Sequence, residues 1–142
     1  MFWIMAAVAV SFLMRTAEQW RTWAALVVSG SVYLFVPANA IFGFLLADFL
    51  AGAIVITHPA GLSQRIIGSL FLCMVFFHVG FLISQVLNST VNGSLYGEAN
   101  RFVGWLQLAC LGSWGLHHVG KTVRSRLWPA RHPLVTGSTI AP

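Results

Sequence analysis

Asp48 and His78 are the two side chains best placed to do chemistry in this sequence. Asp48 is the single acid in the apolar stretch from Ala24 to Thr57, within Leu46-Ala47-Asp48-Phe49-Leu50-Ala51-Gly52. A carboxylate at the centre of a bilayer costs roughly 2.5–3.5 kcal/mol on insertion scales, so a partner, a wet lumen or a proton must offset it. His78 lies in the next apolar run, Ile66–Leu87. Adjacent antiparallel helices would bring the two to similar depth, where a His–Asp pair lowers the cost of each. The alternative is a neutral core histidine, with Asp48 protonated or facing a lumen.

The remaining candidates offer less. His58 and His117-His118 fall near one face, but haem ligation needs two histidines facing each other at one depth. No His-Glu-x-x-His spacing supports a metal. Cys73 and Cys110 fall in apolar runs and match no zinc pattern, and buried cysteines act as small hydrophobes. Glu18, Asp48 and Glu98 are the only acids. No Gly-x-Ser-x-Gly elbow, phosphate loop or dinucleotide fingerprint occurs. The expectation is a protein that is not an enzyme and uses no cofactor and no metal.

Composition sets what must hold these groups. Of 142 residues, 58% are hydrophobic and 8% charged, about a third of the roughly 25% charge content of soluble domains. Such a chain cannot coat a globule with polar surface, so its solvent is lipid. The expected fold class is all-α: a polytopic transmembrane helical protein of four to five membrane helices in one domain, residues 1–120. A basic, flexible cytoplasmic tail, residues 121–142, follows it. The net charge of +5 comes mostly from Lys121, Arg124, Arg126 and Arg131. A cluster of this kind after an apolar run anchors to anionic lipid rather than to nucleic acid. Met1-Phe2-Trp3-Ile4 lacks a basic n-region and does not read as a removable signal peptide.

The apolar runs are Phe2–Met14, Ala24–Thr57, Ile66–Leu87 and Phe102–Val119. One crossing takes about 20 residues, so the second run is too long for one. Pro37-Ala38-Asn39 divides it by breaking helix and favouring a turn. The expected helices are therefore about 2–14, 23–36, 40–57, 66–87 and 102–119. With the tail inside, this division places Arg15, Arg21, Arg65 and the four tail charges inside and only Arg101 outside, seven against one. An undivided run gives five against three, so the positive-inside rule favours the division. Val86–Arg101 becomes a polar external loop carrying the sequons at Asn88 and Asn92. Thirteen residues reach only about 20 Å as helix. Phe2–Met14 therefore either crosses with stretched ends or continues through Arg15–Trp23 as an interfacial helix.

Small residues at helical spacing suggest packing faces. Ala47 with Ala51 and Asp48 with Gly52 form interleaved pairs, and flat strips of this kind let helices approach closely in lipid. Ser69, Cys73, Phe77, Gly80 and Ser84 form a second stripe, and Ala109, Gly112, Ser113, His117 and Gly120 a third. Each stripe either packs the chain's own helices or joins neighbouring copies.

Val28-Ser29-Gly30-Ser31-Val32-Tyr33-Leu34-Phe35, a turn, and Leu45-Leu46-Ala47-Asp48-Phe49-Leu50-Ala51-Gly52-Ala53 together resemble bacteriophage lysis holins of the toxin-secretion type. Gly61-Leu62-Ser63-Gln64-Arg65 sits where that family has a short Leu-Ser loop. Ile66–Leu87 sits where its next span lies, with His78 near a family histidine. The resemblance covers roughly Ala24 to Leu87. Phe2–Met14 is additional to that pattern, and the family's basic pair is reduced to Arg65. The resemblance implies a homo-oligomer in the bacterial host inner membrane that permeabilises it during phage lysis. Two other readings fit the composition. One is a structural or assembly subunit partnered by other membrane chains. The other is a small transporter using Asp48 and His78.

Overall fold

The computed structural model describes residues 2–35, 41–57, 61–87 and 93–127. Among them the chain is all-helical and forms five helices: α1 Phe2–Ser11, α2 Ala17–Phe35, α3 Ile41–Ile56, α4 Leu62–Val86 and α5 Gly93–Leu127. α4 is long and apolar enough to cross a membrane, while α1 and α3 are equally apolar but shorter. At 1.5 Å per residue α4 is about 37 Å long and α3 about 24 Å.

α2 begins six residues before the hydropathy-based expectation of Trp23–Val36, for a local reason. Thr16 caps it: the Thr16 hydroxyl accepts the Gln19 N–H at 3.2 Å, and Gln19 Oε1 accepts the Thr16 N–H at 3.2 Å. This is a reciprocal capping box. Gln19 Oε1 also accepts the Arg15 N–H at 2.8 Å. Of the two readings of the first segment, the one that continues it as helix through Arg15–Trp23 is therefore corrected. The chain turns after Ser11, through the Leu13 N–H to Val10 carbonyl bond and the Met14 N–H to Ser11 carbonyl bond. Residues 17–23 are the first turns of α2.

Contacts along the helices fix their directions. Ser29 meets Asp48 and Tyr33 stacks on Phe44, so α2 and α3 are antiparallel. Asp48 meets His78, and Gly52 lies against Phe71, so α3 and α4 are antiparallel too. Trp3 fits against Gly30 and Gly104, Val10 against Gly112, and Leu13 against Gly115. α1 therefore runs antiparallel to α2 and parallel to α5. The Trp23 indole donates to the Ala7 carbonyl at 2.9 Å and ties α1 to α2. At Gly30 an added Cβ would fall 2.3 Å from the Trp3 ring, so the missing side chain is what admits the indole.

One end of the bundle gathers the start of α1, the ends of α2 and α4 and the starts of α3 and α5. We term it the α5-start end. The opposite, basic end carries Arg15, Arg21, Arg65, Lys121, Arg124 and Arg126, whereas Arg101 lies towards the α5-start end. Lys121, Arg124 and Arg126 were expected in a flexible tail, but they stand on the last turns of α5. Arg131 lies outside the described residues.

α5 also corrects the expected loop at Val86–Arg101, because helix begins at Gly93 and includes Tyr96, Asn100 and Arg101. Asn88 and Asn92, the turn at Pro37-Ala38-Asn39 and His58 lie outside the described residues. The interior is rich in polar groups: Gln19, Thr22, Ser29, Asp48, Gln64, His78, Ser84, Asn100 and Gln107 are buried. Large apolar side chains such as Phe42, Phe49, Phe76, Phe102 and Leu116 point outward. The buried apolar residues Leu26, Ala51, Val55, Ile67, Phe71, Leu108 and Leu111 fill the space between the helices.

Candidate functional site

Asp48 and His78 come together on facing turns of α3 and α4. Both are fully buried, and His78 Nε2 lies 2.8 Å from Asp48 Oδ2. The pairing weighed from the sequence is therefore present. It is also more elaborate than a pair. The Ser29 hydroxyl donates to Asp48 Oδ1. The Tyr33 hydroxyl donates to Asp48 Oδ2 at 2.7 Å and also sits 2.8 Å from His78 Nε2. On the far side of the imidazole, Nδ1 meets the Tyr96 hydroxyl of α5. Four helices thus each send at least one side chain into a single hydrogen-bonded cluster.

The sequence folds this way for simple reasons of spacing. Ser29 and Tyr33 are four apart on α2, so both lie on one face and reach the two oxygens of one carboxylate. Tyr33 stacks on Phe44 with centroids 4.5 Å apart and planes 5° apart, and Tyr96 stacks on Phe81 at 4.2 Å and 16°. Each phenol is thereby braced from α3 or α4 while its hydroxyl points into the cluster.

The donors and acceptors of the cluster match: the carboxylate accepts from Ser29 and Tyr33 and meets Nε2 of the imidazole, and Nδ1 meets the Tyr96 hydroxyl. A hydroxyl both donates and accepts, so Tyr96 can bond Nδ1 in either tautomer of the ring.

A cavity of about 800 Å³ opens beside the cluster. Ser29, Tyr33 and Tyr96 form one wall, and Trp3, Phe44, Phe81 and Trp105 contribute aromatic surface. Asn100 and Gln107 also line it. Asn100 Oδ1 and Gln107 Nε2 are buried without a hydrogen-bond partner among the described residues. Gly93, Phe2 and Arg101 place the cavity towards the α5-start end.

A second, smaller polar clip lies nearer the basic end, where Gln64 of α4 donates to the Thr22 hydroxyl of α2 at 3.2 Å. Among the described residues no three of His, Cys, Asp and Glu stand together as a metal site. Cys73 is exposed, Cys110 is half-buried, and both are free thiols.

The expected packing residues divide. Ala51 and Gly52 are buried, and a Cβ at Gly52 would approach the Phe71 Cβ to 3.0 Å. Ala47 is half-buried beside them. Gly112 is buried against Val10. Ser84 is buried and bonds the Phe81 carbonyl at 2.7 Å. Gly80 does not pack against the chain's own helices: it is exposed and nothing lies within 4 Å of where its Cβ would be. Ser69, Cys73 and Phe77 face outward with it. α4 instead turns Gln64, Ile67, Gly68, Phe71, Met74 and His78 inward. Arg65 is exposed at the basic end.

Sequence reasoning missed Ser29, Tyr33, Tyr96, Asn100 and Gln107 as site residues. A signal existed on α5. Tyr96, Asn100 and Gln107 recur at four and seven residues and mark one helical face. Comparison with known proteins adds no identity: no family model, no curated protein and no solved structure matches the chain.

Proposed function

We propose that the chain is a holin-like inner-membrane protein of four to five crossings that oligomerises and permeabilises the membrane during phage lysis. One observation carries this reading: the bundle is polar within and apolar without. Asp48, His78 and the other buried polar groups face the interior, while phenylalanine and leucine cover the outside. In lipid, such a bundle is stable while closed, because Asp48 and His78, its costliest groups, have partners. If α2–α5 part and neighbouring copies insert, the same groups become the wall of a water-filled lesion, where hydration lowers the cost of the carboxylate. The outward Ser69–Cys73–Gly80 face of α4 supplies a flat surface for neighbours. The arginine and lysine side chains at the basic end support a cytoplasmic side for that end under the positive-inside rule. The resemblance of residues 24–87 to lysis holins supplies the link to phage lysis.

The test is conditional expression in bacteria with a membrane-potential dye and a small-solute leak assay. Wild type should collapse the potential and release solute abruptly. Asp48→Asn weakens the closed cluster but keeps a polar wall, so it should advance the collapse. Asp48→Leu removes the polar wall and should delay or abolish it. A wild type that accumulates in the membrane without depolarising it would refute lysis. A second reading, a small proton-coupled transporter, is favoured by the cavity beside Asp48 and His78. It predicts pH-dependent flux without solute leak in the same assay.

A further inference from the structure

We propose that the cavity at the α5-start end is a water-filled vestibule through which protons reach the Asp48–His78 pair from one face of the membrane only. The proposal rests on the membrane-spanning part of the reading above and is independent of lysis.

Three observations carry it. First, Asn100 and Gln107 line the cavity, and their Oδ1 and Nε2 atoms are buried with no hydrogen-bond partner among the described residues. An unmet buried polar group costs about 1–3 kcal/mol. Water relieves that cost, and a lipid tail in the same space does not. At ~30 Å³ per molecule, a cavity of about 800 Å³ holds on the order of twenty waters. The hydroxyls of Ser29, Tyr33 and Tyr96 supply the further partners that a hydrogen-bonded water chain needs.

Second, the wall of the cavity is also the wall of the cluster. Tyr96 touches the cavity and meets His78 Nδ1. A hydronium in the vestibule can give a proton to the Tyr96 oxygen while the Tyr96 hydroxyl proton passes to Nδ1. Two O–H bonds break, one in the hydronium and one in Tyr96, while one O–H bond forms on Tyr96 and one N–H bond forms at Nδ1, and the vestibule is left with water. The imidazole gains the charge that Asp48 balances. The groups around the pair are few: Ser29 and Tyr33 come from α2, Asp48 from α3, His78 from α4, and Tyr96 from α5. The part of α1 that lines the cavity is Phe2, Trp3 and Ile4, none of them ionisable. The rim carries Arg101, which is paired with Glu98 at 2.7 Å.

Third, the other side of the pair is dry. Below Asp48, Ala51 and Val55 of α3 pack with Ile67 and Phe71 of α4, and none is more than 4% exposed. Gly52 sits against Phe71, and Gly68 against Ile56, with no room for an added Cβ at Gly68. A proton on His78 therefore has a wet route to the α5-start end, while between α3 and α4 a packed apolar layer separates it from the basic end.

Single cysteines in a Cys73→Ala/Cys110→Ala background, reacted with a membrane-impermeant methanethiosulfonate in intact cells and in inverted vesicles, test the route. Asn100→Cys and Gln107→Cys should be labelled from the α5-start side only, at least tenfold faster than from the other. Ala51→Cys should resist from both sides. Labelling of Asn100→Cys and Gln107→Cys from neither side means that lipid fills the cavity, and equal labelling from both means a through-channel; either overturns the proposal. If the cysteine variants fail to fold, infrared difference spectra of wild-type proteoliposomes after a one-sided pH jump decide it. The Asp48–His78 bands, absent in Asp48→Asn, should respond promptly to a jump on the α5-start side and not to one on the other. A response to neither, or to both, refutes it. A chain that washes out of the membrane at alkaline pH would instead overturn the membrane reading.

Discussion

The two halves of the α3–α4 pair are built from opposite materials. Towards the α5-start end the helices meet through Asp48 and His78, with hydroxyls arriving from α2 and α5. One to two turns away, towards the basic end, the same helices meet through Gly52 on Phe71 and Gly68 on Ile56, with Val55 and Ile67 sealed between them. The polar half holds the helices by directional bonds between buried polar groups. The dry half holds them by close approach. The first sets the register, and the second sets the distance.

The largest effect should come from breaking the polar half on one side only. His78→Ala leaves Asp48 without its basic partner and should cost about 3–5 kcal/mol, measured by denaturant titration in mixed micelles. The double variant Asp48→Leu/His78→Leu should recover more than half of that loss. No recovery would mean that the cluster's value lies in Ser29, Tyr33 and Tyr96 rather than in the pair. A moderate effect should come from the dry half. Gly52→Val forces Phe71 away and should cost about 1–3 kcal/mol in the same titration, with the His78 environment unchanged by NMR. Should Gly52→Val cost more than His78→Ala, the order of the two halves is reversed and close approach is the dominant device. The smallest effect belongs to neither half. Glu98→Gln removes an exposed ion pair with Arg101 and should change stability by less than ~1 kcal/mol.

Parts of this arrangement are legible in the residues alone. Asp48 and His78 fall near the middles of successive apolar runs, so antiparallel packing alone brings them level. Ala51, Gly52 and Gly112 pack where small-residue spacing suggests. Gly80 shows the limit of that logic, because periodicity identifies a face without saying what the face meets. α2 and α5 were misjudged at their starts for one reason: hydropathy discounts polar residues that a helix can carry. Thr16-Ala17-Glu18-Gln19 is a readable capping box, yet Gln19 and Arg21 pull the apolar run's apparent start to Trp23. Gly93, Ser94 and Gly97 read as loop, although Tyr96 within them completes the site. The pairing of Tyr33 with Asp48 depends on how α2 rotates against α3, and that is set by packing.

Trp3 is seated between Gly30 on α2 and Gly104 on α5, and Leu13 rests on Gly115 further along α5. The groove that receives α1 therefore does not exist until α5 has been made. α1 must wait for α5 before it finds its berth. The closed form is thus completed only once Gly104 and Gly115 have been made, so a chain truncated before Gly104 would leave Trp3 without one side of its seat.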